Sequence, residues 1–289
     1  MSAGRPRGTT IAWRRAIGEP STASVRDEGG APEVLSRTVT RLRDAGCVFA
    51  EEEADLLVGD ARDLGELEEL LMRRIAGEPL EVVLGWARFR GLRIAVEPGV
   101  FVPRQRTAFL VRQALTVTRP GSTVVDLCCG TGAIGLAIAT EVPDIEIHAS
   151  DIDPVAVRCA AGNLAAVGGV TWCGDLFDPL PDRLRGSVDV VVVNAPYVPT
   201  AEMAMMPPEA RDHEPRRTLD GGPDGVDVHH RVASVVGEWL RPGGHVLIES
   251  GAVQARLTAE ALSGAGLGTA VASSEEMAAT VVIGAAPPV

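Results

Sequence analysis

The chain has 289 residues, 46% hydrophobic and 23% charged, which is enough apolar content for a packed core and too much for wholesale disorder. Twenty-seven arginines and no lysine face 39 acidic residues, a net charge of −12 that argues against broad nucleic-acid binding and removes lysine nucleophiles from consideration. No apolar run reaches the ~18–20 residues of a membrane span, no apolar stretch follows Arg14–Arg15 as in a signal sequence, and the five cysteines lack C-x-x-C spacing; a cytoplasmic protein with reduced thiols and no metal site is expected.

Residues 1–30, rich in Gly, Arg, Ser, Thr and Glu, read as a disordered lead-in. From 31 to 78 the period turns helical: Val34, Leu35, Val39 and Leu42 share one face, then Leu56, Leu57, Leu64, Leu67, Leu70, Leu71 and Ile75 recur at three- and four-residue spacing. Gly46, Gly59 and Gly77 are expected helix ends of a small domain that recognises a macromolecular partner. Residues 79–104 read as a β-hairpin linker, with an extended run from Val82 to Phe89, a turn at Arg90–Gly91, and alternation of Leu92, Ile94 and Val96.

The remainder, 105–289, alternates between strands and helices. Helices are expected over 107–118, 133–140, 154–167, 226–240 and 252–262, and strands over 123–127, 145–150, 170–173, 188–193, 245–249, 269–272 and 279–283. This rhythm specifies an α/β fold with a mostly parallel sheet covered on both faces. Ligands then sit beyond the carboxyl ends of the strands, where the topology switches.

The first such strand runs through Asp126, Cys128 and Cys129 into Gly130, Gly132 and Gly135, a G-x-G-x-x-G pattern between strand and helix. Asp151, 16 residues past Gly135, ends the next strand, where a carboxylate can accept from ribose hydroxyls. A nicotinamide dinucleotide and S-adenosylmethionine both suit this geometry. A pyrophosphate disfavours a nearby carboxylate, whereas a sulfonium and an ammonium tolerate one, so Asp126 tilts the reading to the methyl donor. Asp175, after the next strand, is an expected partner for the adenine amine, with Leu127, Leu176 and Phe177 as apolar faces for the base.

The apolar strand 188–193 ends in Asn194-Ala195-Pro196-Tyr197, with the chain's single tyrosine among ten aromatics. Proline fixes the turn, so the Ala195 carbonyl and the Asn194 side-chain oxygen can converge on one –NH2 group attached to a planar system. Tyr197 is expected to stack on that plane. Residues 198–225 follow with five prolines and no periodicity, and read as a loop able to close over a substrate.

Asn194-Ala-Pro-Tyr197 is similar to the N-P-P-Y motif of amino-group methyltransferases, and the chain resembles the HemK-type protein-(glutamine-N5) methyltransferases from about Ala45 onward. The resemblance takes in Gly77-Glu-Pro-Leu80, Phe101-Val-Pro-Arg104, the Asp126–Gly135 turn, Asp151, Asp175, Glu214-Pro215, Gly221-Gly222, Asp224-Gly225 and Gly243-Gly244 leading to Glu249. It implies a Rossmann-like class I S-adenosylmethionine-dependent methyltransferase fold with a seven-stranded sheet. It implies that Asn194, Ala195, Pro196 and Tyr197 hold a glutamine amide of a protein or peptide, such as the GGQ glutamine of a release factor. The cofactor set comprises Phe101, Arg104, Asp126, Cys128, Gly130, Gly132, Asp151, Ile152, Asp175, Leu176 and Asn194. Two departures, Ala195 for the motif's first proline and Cys128 for a glycine, resemble a divergent branch. Alternatives remain open: methylation of a nucleobase amine or a small amide, a nicotinamide-dependent oxidoreductase, or a binding module without turnover.

Overall fold

The computed structural model describes Val25 and residues 31–288, so the lead-in expected over residues 1–30 lies, Val25 apart, outside the described residues. The chain divides into two compact units between Ala87 and Arg88, inside the stretch expected to be a linker.

The first unit holds α1 (Ala31–Asp44), α2 (Ala50–Asp60), α3 (Leu64–Ile75) and the short α4 (Leu80–Leu84). Leu42, Leu57, Leu67, Leu71 and Val83 form its apolar centre. Asp63 caps α3 by accepting from the Glu66 N–H, which satisfies one of the amides that a helix start leaves unpaired. Arg74 meets Glu53 in a buried two-pronged ion pair at 2.6 and 3.0 Å. Two expectations are corrected here. Gly59 lies inside α2 and ends nothing, while Gly46 and Gly77, both at positive φ, follow α1 and α3 as expected. Val82–Leu84 belong to α4 and not to a strand, because a short apolar run has no period of its own; Pro79 opens the turn and left-handed Gly85 closes it.

β1 (Trp86–Phe89) and β2 (Leu92–Ala95) form a two-stranded hairpin. Both turn residues, Arg90 and Gly91, have positive φ, the geometry that matches the twist of a tight hairpin. In the second unit follow α5 (Ala108–Val117), β3 (Thr123–Leu127), α6 (Ala133–Glu141), β4 (Glu146–Asp151), α7 (Pro154–Leu164), β5 (Val170–Cys173), β6 (Val188–Val193), α8 (Pro208–His213), α9 (Asp227–Trp239), β7 (Leu240–Ser250), α10 (Ala255–Gly264), β8 (Gly268–Ser274) and β9 (Ala279–Ala285).

The seven-stranded sheet has the order β5-β4-β3-β6-β7-β9-β8. Strands β3 to β7 pair parallel, and β9 runs antiparallel to both of its neighbours. Successive valines of β6 feed opposite faces: Val190 and Val192 join the layer under α5 and α6, and Val191 and Val193 join the layer under α9 and α10. A strand buried on both faces needs no polar residue in the alternation, which is why it reads as one unbroken apolar run.

β7 begins at Leu240, well before the expected His245, and carries Pro242, Gly243 and Gly244 through an irregularity in its pairing with β6. A Cβ on Gly244 would stand 2.8 Å from the Val188 carbonyl oxygen, so the close pairing itself demands glycine. The segment 198–225 is also more ordered than its composition suggests, with α8 and 3-10 turns at Thr200–Met205 and Arg216–Thr218. Its neck is stitched by Val198 N–H to Leu219 O at 3.0 Å and Thr200 N–H to Gly222 O at 2.9 Å. Among the described residues no helix is long and apolar enough to cross a membrane, and no group of three or more His, Cys, Asp or Glu could hold a metal.

Candidate active site

From β3 the chain moves outward to β4 and β5, then crosses back to place β6 on the other side of β3. The crevice at this switch lies between the ends of β3 and β6. Their register pairs Leu127 with Val193, so Cys128 and Asn194 leave the sheet side by side. This one register joins the glycine-rich turn to the Asn-Ala-Pro-Tyr turn.

A cleft of about 250 Å³ opens there. Phe101, Cys128, Gly130, Asp151, Ile152, Asp175, Leu176, Asn194 and Pro196 all line it. A smaller cavity of about 30 Å³ shares Phe101, Cys128, Gly130 and Asn194 with it and extends to Thr107. Among the residues expected at the site, Arg104, Asp126, Gly132, Ala195 and Tyr197 do not line the main cleft. Arg104 lies 5.1 Å from the centre of the Phe101 ring and pairs with the buried Glu214. Asp126 is fully buried and accepts from the Gly135 N–H at 2.9 Å, holding the start of α6 against β3. Gly132, at φ 73°, packs so closely on α7 that a Cβ would meet Ala160 at 3.1 Å.

The glycine turn is fixed by backbone bonds to Asp151. Its Oδ2 accepts from Gly130 N–H and its Oδ1 from Asp153 N–H, both at 2.9 Å. Asn163, which the sequence did not single out, bonds the Thr131 carbonyl at 2.9 Å and both backbone groups of Ala95. It thereby ties the turn to the hairpin. Cys128 takes a positive φ of 53°, a conformation that costs a residue with a Cβ far more than glycine. The place usually held by glycine thus keeps glycine's backbone shape.

Burial pushes the Asp126 carboxyl up to about 8, against the Gly135 N–H that favours its charged form. Burial also raises Asp151, with its two backbone donors opposing, and raises the Cys128 thiol, which the neighbouring carboxylates of Asp151, Asp126 and Asp175 keep neutral. The other buried oxygen of Asp126 has no hydrogen-bond partner. Asp151 and Asp175 line the cleft beside the turn and favour a cationic ligand, a character that the ammonium and sulfonium of S-adenosylmethionine match. The same carboxylates would repel a pyrophosphate. The residues present therefore fit the methyl donor.

The lips of the cleft are arginines that sequence patterning did not separate from the surface. Arg217, on the segment after the acceptor turn, pairs with Asp153 at the start of α7. Burial would raise Asp153, but this guanidinium and the Val155 N–H outweigh it and leave its pKa lowered. Arg231, on α9, pairs with Asp175. The expected adenine acceptor is thus already engaged on one oxygen. Only a contact across 64 residues of sequence brings Arg217 to Asp153, so no local pattern could have revealed it.

The acceptor turn is buttressed from behind. Tyr197 donates its phenol O–H to Glu249 Oε1 at 3.0 Å, and the Arg106 guanidinium sits 5.7 Å from the centre of its ring. A Cβ on Gly221 would stand 2.7 Å from the Pro196 carbonyl oxygen, and one on Gly225 would stand 2.5 Å from that of Tyr197. Burial pushes the Glu249 carboxyl up, while Thr107, Arg106 and Tyr197 favour its charged form.

Residues 91–207 match the methyltransferase small domain family. The chain is 39% identical over 235 residues to the release factor glutamine methyltransferase of Streptomyces coelicolor, covering 74% of this chain and 83% of that one. It is 36% identical over 220 residues to the protein of the same name from Mycolicibacterium smegmatis, covering 75% and 78%. A crystal structure of a methyltransferase from Pyrococcus furiosus aligns with a TM-score of 0.53 at 15% identity over 76% of this chain and 99% of that one, a likeness of fold. With the crevice, the carboxylate-lined turn and the Asn-Ala-Pro-Tyr motif in place, these relatives establish that the chain belongs to the release factor glutamine methyltransferase family, enzymes that take their methyl group from S-adenosylmethionine.

Proposed function

We propose that this protein methylates the side-chain amide nitrogen of a glutamine in a protein substrate, a translation release factor being the first candidate, in the cytoplasm. The observation that carries the reading is that Asn194 and Pro196 share one cleft with Gly130 and Asp151. A grip for a planar amide therefore faces the cofactor turn.

When bound, S-adenosylmethionine supplies an electrophilic methyl carbon on its sulfonium. Asp151, held by Gly130 and Asp153 N–H groups, keeps lone pairs for ribose hydroxyls. Ile152, 63% exposed, and Leu176 offer apolar surface to the base. Asn194 Oδ1 and the Ala195 carbonyl each accept one N–H of the substrate amide, and Pro196 fixes the angle between them. The nitrogen becomes acidic only as the new N–C bond forms, so its surplus proton passes to solvent without a strong base. The half-buried, neutral Cys128 does not compete for the methyl group, because the thiolate is the nucleophilic form. Catalysis in this reading is positional, and orientation of this kind can contribute about 7–11 kcal/mol. The helical unit before Ala87 would recognise the macromolecular partner.

The test is transfer of an isotopically labelled methyl group to a purified release factor, to a peptide bearing its GGQ loop, and to bulk nucleic acid, with the modified residue located by mass spectrometry. Label on a glutamine amide is the expected result. Label confined to a nucleobase amine, or to no substrate while the cofactor binds, would overturn the reading.

A further inference from the structure

Both walls of the cofactor cleft hang from the dipeptide Ser150–Asp151 at the end of β4. On one side, the Ser150 carbonyl accepts from the Cys129 N–H at 3.1 Å and Asp151 Oδ2 accepts from the Gly130 N–H at 2.9 Å, which fixes the glycine turn. On the other, the Asp151 carbonyl accepts from the Gly174 N–H at 3.0 Å, one step beyond the Asp151–Cys173 register pair. The Ser150 hydroxyl then reaches further along the same segment and donates to the Leu176 carbonyl at 2.7 Å. Ser150 is fully buried, and a carbonyl can only accept, so the single hydrogen of its hydroxyl is committed to Leu176.

Leu176 needs such a hold. Its φ of 47° lies in the left-handed region, which a bulky L-residue rarely enters. A backbone of this kind persists only where its surroundings impose it, and it recurs at ligand clamps. The next residue, Phe177, is anchored in the core, with its ring stacked on Trp239 at 5.2 Å between centres. The preceding carbonyl, that of Asp175, accepts from the Asp178 N–H at 2.9 Å. Between these anchors the Leu176 side chain packs on the layer of Leu127 and Phe177 and lines the cleft. We propose that Ser150 is a positioning residue for recognition of the adenine base: by holding the Leu176 carbonyl it keeps Leu176 left-handed, with its side chain preset as a platform for the base. Without that bond the residue relaxes towards the right-handed or extended conformations that L-residues prefer. The platform must then be ordered again at the expense of binding.

This inference rests on the proposed placement of the base against Leu176, and the experiment separates the two. Calorimetry with S-adenosylhomocysteine and with adenosine is run on the wild type, Ser150→Ala, Leu176→Gly and the double variant. Leu176→Gly removes the platform and should weaken both ligands about tenfold. Ser150→Ala should weaken both about five- to tenfold, the scale of one hydrogen bond. Ser150→Cys, close in shape but only a weak donor, should behave alike. In both Ser150 variants kcat at saturating S-adenosylmethionine should stay within twofold, so that the loss falls on KM. In the Leu176→Gly background, Ser150→Ala should cost less than a further twofold, because the side chain it orients is gone. A Ser150 that merely supports the fold would cost the same in both backgrounds and lower the melting temperature with it, and that result overturns the inference. Wild-type affinity in Ser150→Ala beside a weakened Leu176→Gly also overturns it and leaves the base placement standing. Wild-type affinity in Leu176→Gly removes the base placement, and the inference with it, while the amide grip at Asn194 is untouched.

Discussion

The two halves of the active site are built from different materials. The cofactor half is backbone and carboxylate: the Gly130–Gly132 turn, Asp151 held by the N–H groups of Gly130 and Asp153, and rim acids paired with half-exposed arginines. The acceptor half is a tightly packed turn. Ala195 is 3% exposed, Gly221 and Gly225 press on the turn's carbonyls, and Glu249 ties down its phenol from behind. In the proposed reading the first half can lose single contacts and still bind, because many weak partners share a ligand that also buries apolar surface. In the same reading the second half presents two oxygens at one angle, and a displacement of about 1 Å can cost a hundredfold in rate.

The largest expected effect follows from that asymmetry. Asn194→Ala should lower kcat at least about a hundredfold while cofactor affinity, measured by calorimetry, changes by no more than a few fold. Equal loss of both would show that the turn is a shared structural element and would erase the contrast. Next comes Gly221→Ala, whose new Cβ would meet the Pro196 carbonyl oxygen at 2.7 Å. Overpacking of this kind costs about 1–3 kcal/mol, so the melting temperature should fall by several degrees and methyl transfer should fall further than cofactor binding. Asp151→Ala is expected to do the reverse, weakening the cofactor Kd about tenfold or more with the melting temperature little changed.

Smaller effects sharpen the rim. Arg217→Ala removes an ion pair whose arginine is 56% exposed and whose Asp153 is 8% exposed. Exposed pairs contribute about 1 kcal/mol or less, so a change in cofactor Kd within about fivefold, fading in high salt, is expected from titrations at two ionic strengths. A separate effect, on stability and not on rate or affinity, belongs to Asp126 and is a pH dependence. Its folded pKa is raised to about 8 by burial, so the native state holds a proton that the unfolded state has released. Stability from this group is therefore complete at low pH, falls as pH rises from the ordinary carboxyl range towards 8, and levels off above. Asp126→Asn should flatten that slope in denaturant unfolding curves between pH 5 and 9. An unchanged slope would place the titrating group elsewhere.

The strand–helix alternation was legible because each element carries its own period. β3, β5 and β6 fall where the sequence puts them, residue for residue, and the helices agree within a few positions. The misses have physical causes. The apolar run Val82–Leu84 lies between Pro79 and a left-handed Gly85 and coils instead of extending. β7 runs through Pro242–Gly243–Gly244 because its neighbour's carbonyl leaves room for nothing larger. Residues 198–225 look structureless in one dimension, yet bonds between their two ends close them into a loop with short helices of its own. In the site, Gly130, Asp151 and Asn194 were legible because each ends or follows a recognisable strand.

By itself, the sequence determined the chemistry on offer: a glycine turn flanked by carboxylates, and an amide, a carbonyl and a proline in one four-residue turn. Those are local properties, fixed by residue type and backbone preference. Tertiary structure alone decided which of these groups face one another, through the Leu127–Val193 register that sets Cys128 beside Asn194. It also recruited Thr107, Glu249, Arg217 and Arg231 from segments far apart in the chain. Hydrogen bonds and ion pairs act over a few ångströms of space, and no spacing along a chain reports a distance that only folding creates.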